Sequence, residues 1–141
     1  MIVVDASLAV KWFLEEPLSD AAGEILTAHA GEINVPDVML VEVVGALVRN
    51  ANMVKASRPN ILAALNRFDT LLADGDLVAH RSPRQNIRKC ADMAIEIGHP
   101  LKDCIYLVLA MEYDCYLVTC DAKFAAKAKN VWPKVRVLGE L

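Results

Sequence analysis

The 141-residue chain predicts an α/β fold in which short strands alternate with helices around a mainly parallel sheet. Two patterns carry that expectation. Five short runs, Ile2–Val4, Ile33–Val35, Leu77–Ala79, Tyr116–Thr119 and Val135–Val137, are too short for helices and read as strands. Between them lie longer segments with helical spacing, and strand–helix–strand succession joins parallel neighbours through crossovers. No internal repeat or linker interrupts the pattern, so a single domain over residues 1–141 is expected.

The elements follow in order. Ile2-Val3-Val4 is wholly apolar, reads as a strand buried on both faces, and ends at Asp5. Ser7 to Phe13 has the pattern of a short helix, which Pro17 breaks. A second helix runs from about Leu18 to Ala30, with Gly31 as its stop. Pro36-Asp37 opens a long helix to about Asn52, with Asp37 as N-cap. Lys55-Ala56-Ser57-Arg58-Pro59 reads as a turn. In Asn60 to Leu72, the apolar residues Ile61, Leu62, Leu65, Phe68, Leu71 and Leu72 fall on one helical face. Asp74-Gly75-Asp76 turns into the third strand. A helix from about Pro83 to Ile97 is interrupted by Gly98-His99-Pro100, and a further helix covers Leu101 to Tyr113. The fourth strand leads into a short helix from about Ala122 to Lys129, ahead of the last strand.

Composition narrows the classes. At 55% hydrophobic the chain has material for a full core and none of the bias of a disordered segment. The longest strictly apolar run, Cys104 to Met111, is far short of the roughly 20 residues of a membrane span. Met-Ile-Val-Val-Asp lacks the basic start of a signal peptide, so a cytoplasmic location is expected. Cys90, Cys104, Cys115 and Cys120 form no C-x-x-C pair and have no histidine at a zinc-like spacing; they read as reduced, buried, small hydrophobes. Net charge is −3, but unevenly spread: residues 1–48 hold eight acids and one base, whereas residues 49–141 hold ten acids and fourteen bases. Cations bound to an acidic cluster would offset the excess, so the charge does not exclude a nucleic-acid partner.

Four acids stand out. Asp5 and Asp121 each follow a strand and precede a helix, and each can be read simply as an N-cap. Asp103 lies in the first turn of a helix, where an acid suits the macrodipole. Glu42 differs: every other residue from Val38 to Val48 is apolar or glycine, so its helix reads as buried nearly all round. A carboxylate there must be neutralised from elsewhere in the fold, by a metal ion or by a distant lysine or arginine. Jointly, Asp5 and Asp121 end the two strands that flank the switch point of a doubly wound sheet, where such folds place their sites. Converging carboxylates are tenable mainly with cations, and oxygen-only ligands favour Mg²⁺ or Mn²⁺ over zinc. One or two such ions suit an in-line phosphodiester displacement. The hydroxyls of Ser7 and Thr119 stand two residues from Asp5 and Asp121, where they either orient a carboxylate or serve only as turn and cap groups.

The segments Ile2-Val3-Val4-Asp5-Ala6-Ser7, Pro36 to Val43, Pro100 to Ala110 and Leu117 to Phe124 resemble the four signature blocks of PIN domains, in order and at the usual spacing. The length matches the VapC toxin subfamily. The resemblance implies a PIN-like, Rossmann-like three-layer fold with a five-stranded parallel sheet flanked by helices. It implies a catalytic, metal-holding quartet of Asp5, Glu42, Asp103 and Asp121, with Ser7 and Thr119 as the supporting hydroxyls. It also implies Mg²⁺- or Mn²⁺-dependent endoribonuclease activity, a homodimer, and inhibition by a cognate antitoxin.

Lys11, Arg49, Lys102 and Lys123 lie near the quartet in sequence and are candidate RNA contacts, which Arg81, Arg84, Arg88 and Lys89 would extend; the alternative for each is a solvated face. Trp12 and Phe13 read as core, or as a partner-facing pair. A phosphoryl-accepting receiver domain fits poorly, because strand three runs into His80-Arg81-Ser82 and Val137 into Leu138-Gly139, leaving no acid and no lysine at the required ends. A haloacid-dehalogenase-type phosphatase needs an acid where Ser7 stands. A PIN-scaffold module that binds RNA or protein without catalysis, and a nuclease of RNA processing and not toxicity, remain the competing readings.

Overall fold

The computed structural model describes residues 1–140. Among them are five strands: β1 Ile2–Val4, β2 Ile33–Pro36, β3 Leu77–His80, β4 Tyr116–Thr119 and β5 Val135–Val137. They alternate with α1 Ala6–Ala9, α2 Ser19–Ala28, α3 Val38–Met53, α4 Arg58–Ala73, α5 Arg84–Ile97, α6 Leu101–Glu112 and α7 Ala122–Ala128. The strands form one parallel sheet of order β3-β2-β1-β4-β5. This is the five-stranded α/β fold that the sequence and the resemblance predict.

Burial follows strand position. Successive strand residues point to opposite faces, and Ile2, Val3 and Val4 are all buried, so β1 is covered on both sides. Edge strand β3 buries Leu77 but exposes Val78 and Ala79, and edge strand β5 exposes Arg136 between two buried valines. Arg136 lies over the Tyr116 ring on the neighbouring strand, 4.5 Å from its centroid. The polar Asn34 on β2 is buried at little cost because His80 on β3 meets its Oδ1 at 2.6 Å. Helix α6, buried from Cys104 to Ala110, lies against β1, β2 and β4 and forms the centre of the core.

Several local expectations change. Ser7 to Phe13 splits into the single turn α1 and a 3₁₀ turn over Val10–Trp12. The expected turn at 55–59 is a 3₁₀ turn over Lys55–Ser57 that runs into α4 with Pro59 in its first turn, where a missing N–H costs nothing. Asp37 precedes α3 but makes no side-chain cap, its backbone being already helical. Nor is α3 buried all round: Met39, Val43 and Leu47 face the core, while Val41 is 75% exposed and Val44 and Val48 are also exposed. An apolar stretch has no intrinsic inside, and here only one stripe of it is fully buried, in a helix that packs against α4 and α1. Trp12 and Phe13 are packed inward, with Trp12 Nε1–H donating to the Ala22 carbonyl at 2.8 Å and Phe13 edge-on to Phe68. The four cysteines are free, and all but the partly buried Cys120 are buried.

Leu107 is fully buried at the middle of α6. We expect Leu107→Ala to lower unfolding free energy by about 2–5 kcal/mol through lost contacts and a cavity. Ile95→Ala, at a position 82% exposed on α5, should stay within about 0.5 kcal/mol of the parent in urea titration. Equal losses at both positions would contradict this placement of the core.

Candidate active site

The sheet order places β2 and β3 on one side of β1, and β4 and β5 on the other, so the chain reverses direction of growth between β1 and β4. Asp5 stands at the carboxyl end of β1 and Asp121 just past that of β4. The register pairs Val4 with Val118, and the Asp5 N–H donates to the Val118 carbonyl, which sets Asp5 beside Thr119.

Asp5 is 3% exposed. Its Oδ1 accepts from the Leu8 N–H at 3.2 Å, capping α1, and from the Ser7 hydroxyl at 2.6 Å; its Oδ2 accepts from the Thr119 hydroxyl. The same two hydroxyls accept from β4 and its exit: Ser7 Oγ from the Cys120 N–H at 3.1 Å, and Thr119 Oγ1 from the Asp121 N–H at 3.0 Å. A hydroxyl has one proton, and both protons go to Asp5, so Ser7 and Thr119 orient as acceptor and donor at once. Asp5 and Asp121 are thereby tied together through Thr119. No ion pair reaches Asp5 among the described residues. Burial pushes its carboxyl up to about 6, against the lowering effect of Ser7, Thr119 and Leu8, while the charge of Asp103 adds to the rise.

The other acids have individual partners. Asp121 Oδ1 accepts from the Phe124 N–H at 3.0 Å and caps α7, so its cap reading holds alongside its place in the site. Asp103, in the first turn of α6, meets His99 Nε2 through Oδ2 at 2.6 Å. Glu42 Oε1 accepts from the Tyr106 hydroxyl at 2.8 Å, and Oε2 faces the Lys102 ammonium at 3.5 Å. The neutralising group that Glu42 requires is therefore a lysine from another helix, in the absence of any added cation. His99, Asp103 and Asp121 bring ligand atoms within 4.8 Å of one another; Asp5 and Glu42 are not part of that group. The Tyr106 phenol is held protonated by burial first, then by Glu42, its hydrogen-bond partner, and by the charges of Asp5 and Asp103. Burial, first of all, pushes the thiols of Cys104 and Cys120 up to about 11, so both are protonated near neutral pH in the metal-free protein.

A groove of about 280 Å³ opens beside Glu42, with Ser7, Gly45, Arg49 and Lys102 on its walls. Arg49 and Lys102 thus flank the acids. Lys123 is exposed at the start of α7. Lys11 is largely buried and turned to Glu16 at 3.8 Å. On α5, Arg88 pairs with Asp92 and Lys89 with Glu112, and Arg81 and Arg84 are exposed near by, an arrangement of solvated surface charges.

Sequence reasoning missed two members. Tyr106 reads as one more apolar residue of α6. His99 reads as part of a helix break, and the signal for it was available: it precedes Asp103 by four residues, one helical turn.

Among solved structures, the chain is similar to a toxin–antitoxin complex from Klebsiella pneumoniae, with 16% identity, a TM-score of 0.70 and coverage of 98% of each chain. It is similar to a sarcin–ricin-loop-cleaving VapC toxin of Mycobacterium tuberculosis, with 12% identity, a TM-score of 0.69, and coverage of 89% of this chain and 94% of that one. A third likeness is to FitAcB from Neisseria gonorrhoeae, with 15% identity, a TM-score of 0.69 and full coverage of both. At these identities the shared property is the fold. No curated protein matches by sequence. The sequence profile of the PIN domain matches residues 2–130, and on that match the chain belongs to the PIN domain family.

Proposed function

We propose that the chain is a divalent-metal-dependent endoribonuclease, acting as the toxin of a cytoplasmic toxin–antitoxin pair and assembling as a homodimer. The observation that carries the reading is Asp5: a buried carboxylate, facing a second acid at Asp103, with hydrogen bonds but no cation of its own. Desolvation and like charge both disfavour such a group unless a positive ion sits beside it. The donor chemistry fits the ion. Asp5, Glu42, Asp103 and Asp121 supply oxygens only, which suits one or two Mg²⁺ or Mn²⁺, and the nearby thiols are protonated.

In this reading the four acids hold the ion, which supplies Lewis-acid activation of water and charge neutralisation at a phosphodiester. Ser7 and Thr119 hold both oxygens of Asp5 in one orientation, so no rotamer search accompanies substrate binding. Lys102 and Arg49, on the groove walls, attract the phosphate backbone. Support for RNA as substrate comes from the sarcin–ricin-loop-cleaving neighbour, and support for an antitoxin partner from the Klebsiella pneumoniae complex.

The deciding test is cleavage of total cellular RNA by purified protein with Mg²⁺ or Mn²⁺, with EDTA, and with Asp5→Asn and Asp103→Asn variants. We expect discrete cuts that need the metal and fall on the order of 100-fold or more in either variant, since even supporting partners of metal ligands are worth about 10–100-fold. RNA binding without metal-dependent cutting would move the assignment to a non-catalytic binding module.

Stability gives a second check. The folded protein holds a proton on Asp5 up to about pH 6, whereas the unfolded chain releases it near 3.8. Folding is therefore favoured below the lower value and loses that contribution as pH rises through this window. The displacement corresponds to about 3 kcal/mol at most. In EDTA, Asp5→Asn should gain stability relative to the parent as pH rises from about 4 to about 6, with Mn²⁺ stabilising the parent alone. A difference between variant and parent that stays constant over that range would show that Asp5 is not electrostatically unsatisfied, since the acceptor lost to the Thr119 hydroxyl is missing at every pH.

A further inference from the structure

His99 occupies the middle of the three-residue link, Gly98 to Pro100, between α5 and α6. Gly98 ends α5 in the left-handed conformation, with φ 66°, and Pro100 starts the next helix without an N–H. That link sets the imidazole one turn ahead of Asp103, whose Oδ2 lies 2.6 Å from Nε2. The side chain is only 7% exposed, and its ring stacks on Phe124, with centroids 4.7 Å apart and planes at 22°. Phe124 is fully buried, and its backbone N–H is the group that caps on Asp121. One imidazole therefore braces Asp103 directly and bears on the helix turn that holds Asp121.

The contact also says what kind of group His99 is. Two lone pairs at 2.6 Å repel, so a proton lies between them, and with Asp103 as the carboxylate it is carried by Nε2. With Nε2 protonated, the nitrogen facing the acids has no lone pair for a metal, while Nδ1, buried and without a partner, is left as an unfilled acceptor. Holding Nδ1 unpaired costs less than leaving a donor buried and unpaired, which favours the tautomer that donates to Asp103.

Resting on the metal-site reading above, we propose that His99 is a positioning residue. Its Nε2–H fixes Oδ2 of Asp103 and leaves Oδ1 to face the cation beside Asp121, so the site is assembled before the ion arrives. The role belongs to the hydrogen bond and not to the bulk of the ring. Glutamine places an N–H donor where Nε2 stands; phenylalanine keeps the stack on Phe124 and removes the donor.

The test is Mn²⁺ binding by calorimetry to the whole protein and to His99→Gln, His99→Phe and His99→Ala, with melting curves recorded in EDTA. We expect His99→Phe and His99→Ala to weaken Mn²⁺ about 10–100-fold, His99→Gln to recover most of the affinity, and His99→Phe to melt close to the parent. Pulsed electron paramagnetic resonance on the Mn²⁺ form should show no directly coordinated nitrogen. Unchanged affinity in His99→Phe, a failure of His99→Gln to recover it, or a nitrogen bound to Mn²⁺ would each overturn the positioning role while leaving the metal site in place. A parent protein that binds no Mn²⁺ would overturn the metal reading, and this inference with it.

Discussion

The junction between β1 and β4 is held by one carboxylate. Asp5 must be buried because it ends a strand covered on both faces, and it must be held because an unsatisfied carboxylate there would cost several kcal/mol. The fold meets that demand with the hydroxyls of Ser7 and Thr119 and with the Leu8 amide in the first turn of α1. Since the same hydroxyls accept from Cys120 and Asp121, the backbone leaving β4 is pinned to the backbone leaving β1. The hydrogen-bonded ladder alone would align the two strands; the side-chain bridge adds the direction in which each chain departs. The other acids are placed relative to that corner.

Hydrogen bonds and charge are distributed unequally over the site. Glu42 has an ammonium and Asp103 an imidazole, whereas Asp5 and Asp121 each cap a helix and are held by neutral donors, and of these two Asp5 is the buried one. Neutral donors orient a carboxylate and lower its proton affinity, but burial outweighs them here, so the carboxyl titrates near 6. Asp5 thus combines deep burial with the absence of an ion pair among the described residues. A fold shaped for stability alone would favour an uncharged residue there; under the proposed metal-site reading, the repulsion among the acids would be relieved by a bound cation.

Legibility in the sequence tracked how local each cause was. Strand β1, the acid that ends it, and the break at Gly98 follow from patterns a few residues long, and each reappears in the structure. Helix α3 shows where local pattern fails. Ten apolar or glycine positions of eleven promise burial, yet only the Met39, Val43 and Leu47 stripe is fully buried, because which side faces inward is settled by the crossover that leaves β2. The partners of Glu42 were hidden for the same reason: Lys102 and Tyr106 lie some sixty residues away on α6, and no spacing rule couples them. His99 was hidden differently. Its four-residue spacing to Asp103 is a helical one, but the glycine and proline around it mark a break, and the reach of the side chain depends on how the break is closed.

Glu42 combines a permanent partner with an exchangeable one. The Tyr106 hydroxyl is buried at 1% residue exposure and is held protonated by burial first and by the nearby acids second, so it remains a donor to Oε1 around neutral pH. Lys102 is 60% exposed and 3.5 Å away, and such a pair contributes at most about 1 kcal/mol. Under the proposed reading, a phosphate or a divalent ion would displace it at little cost, and the ammonium, mounted one residue from Asp103 on the wall of the groove, would stay within reach of that ligand. The tyrosine keeps Glu42 in place whichever partner Lys102 takes.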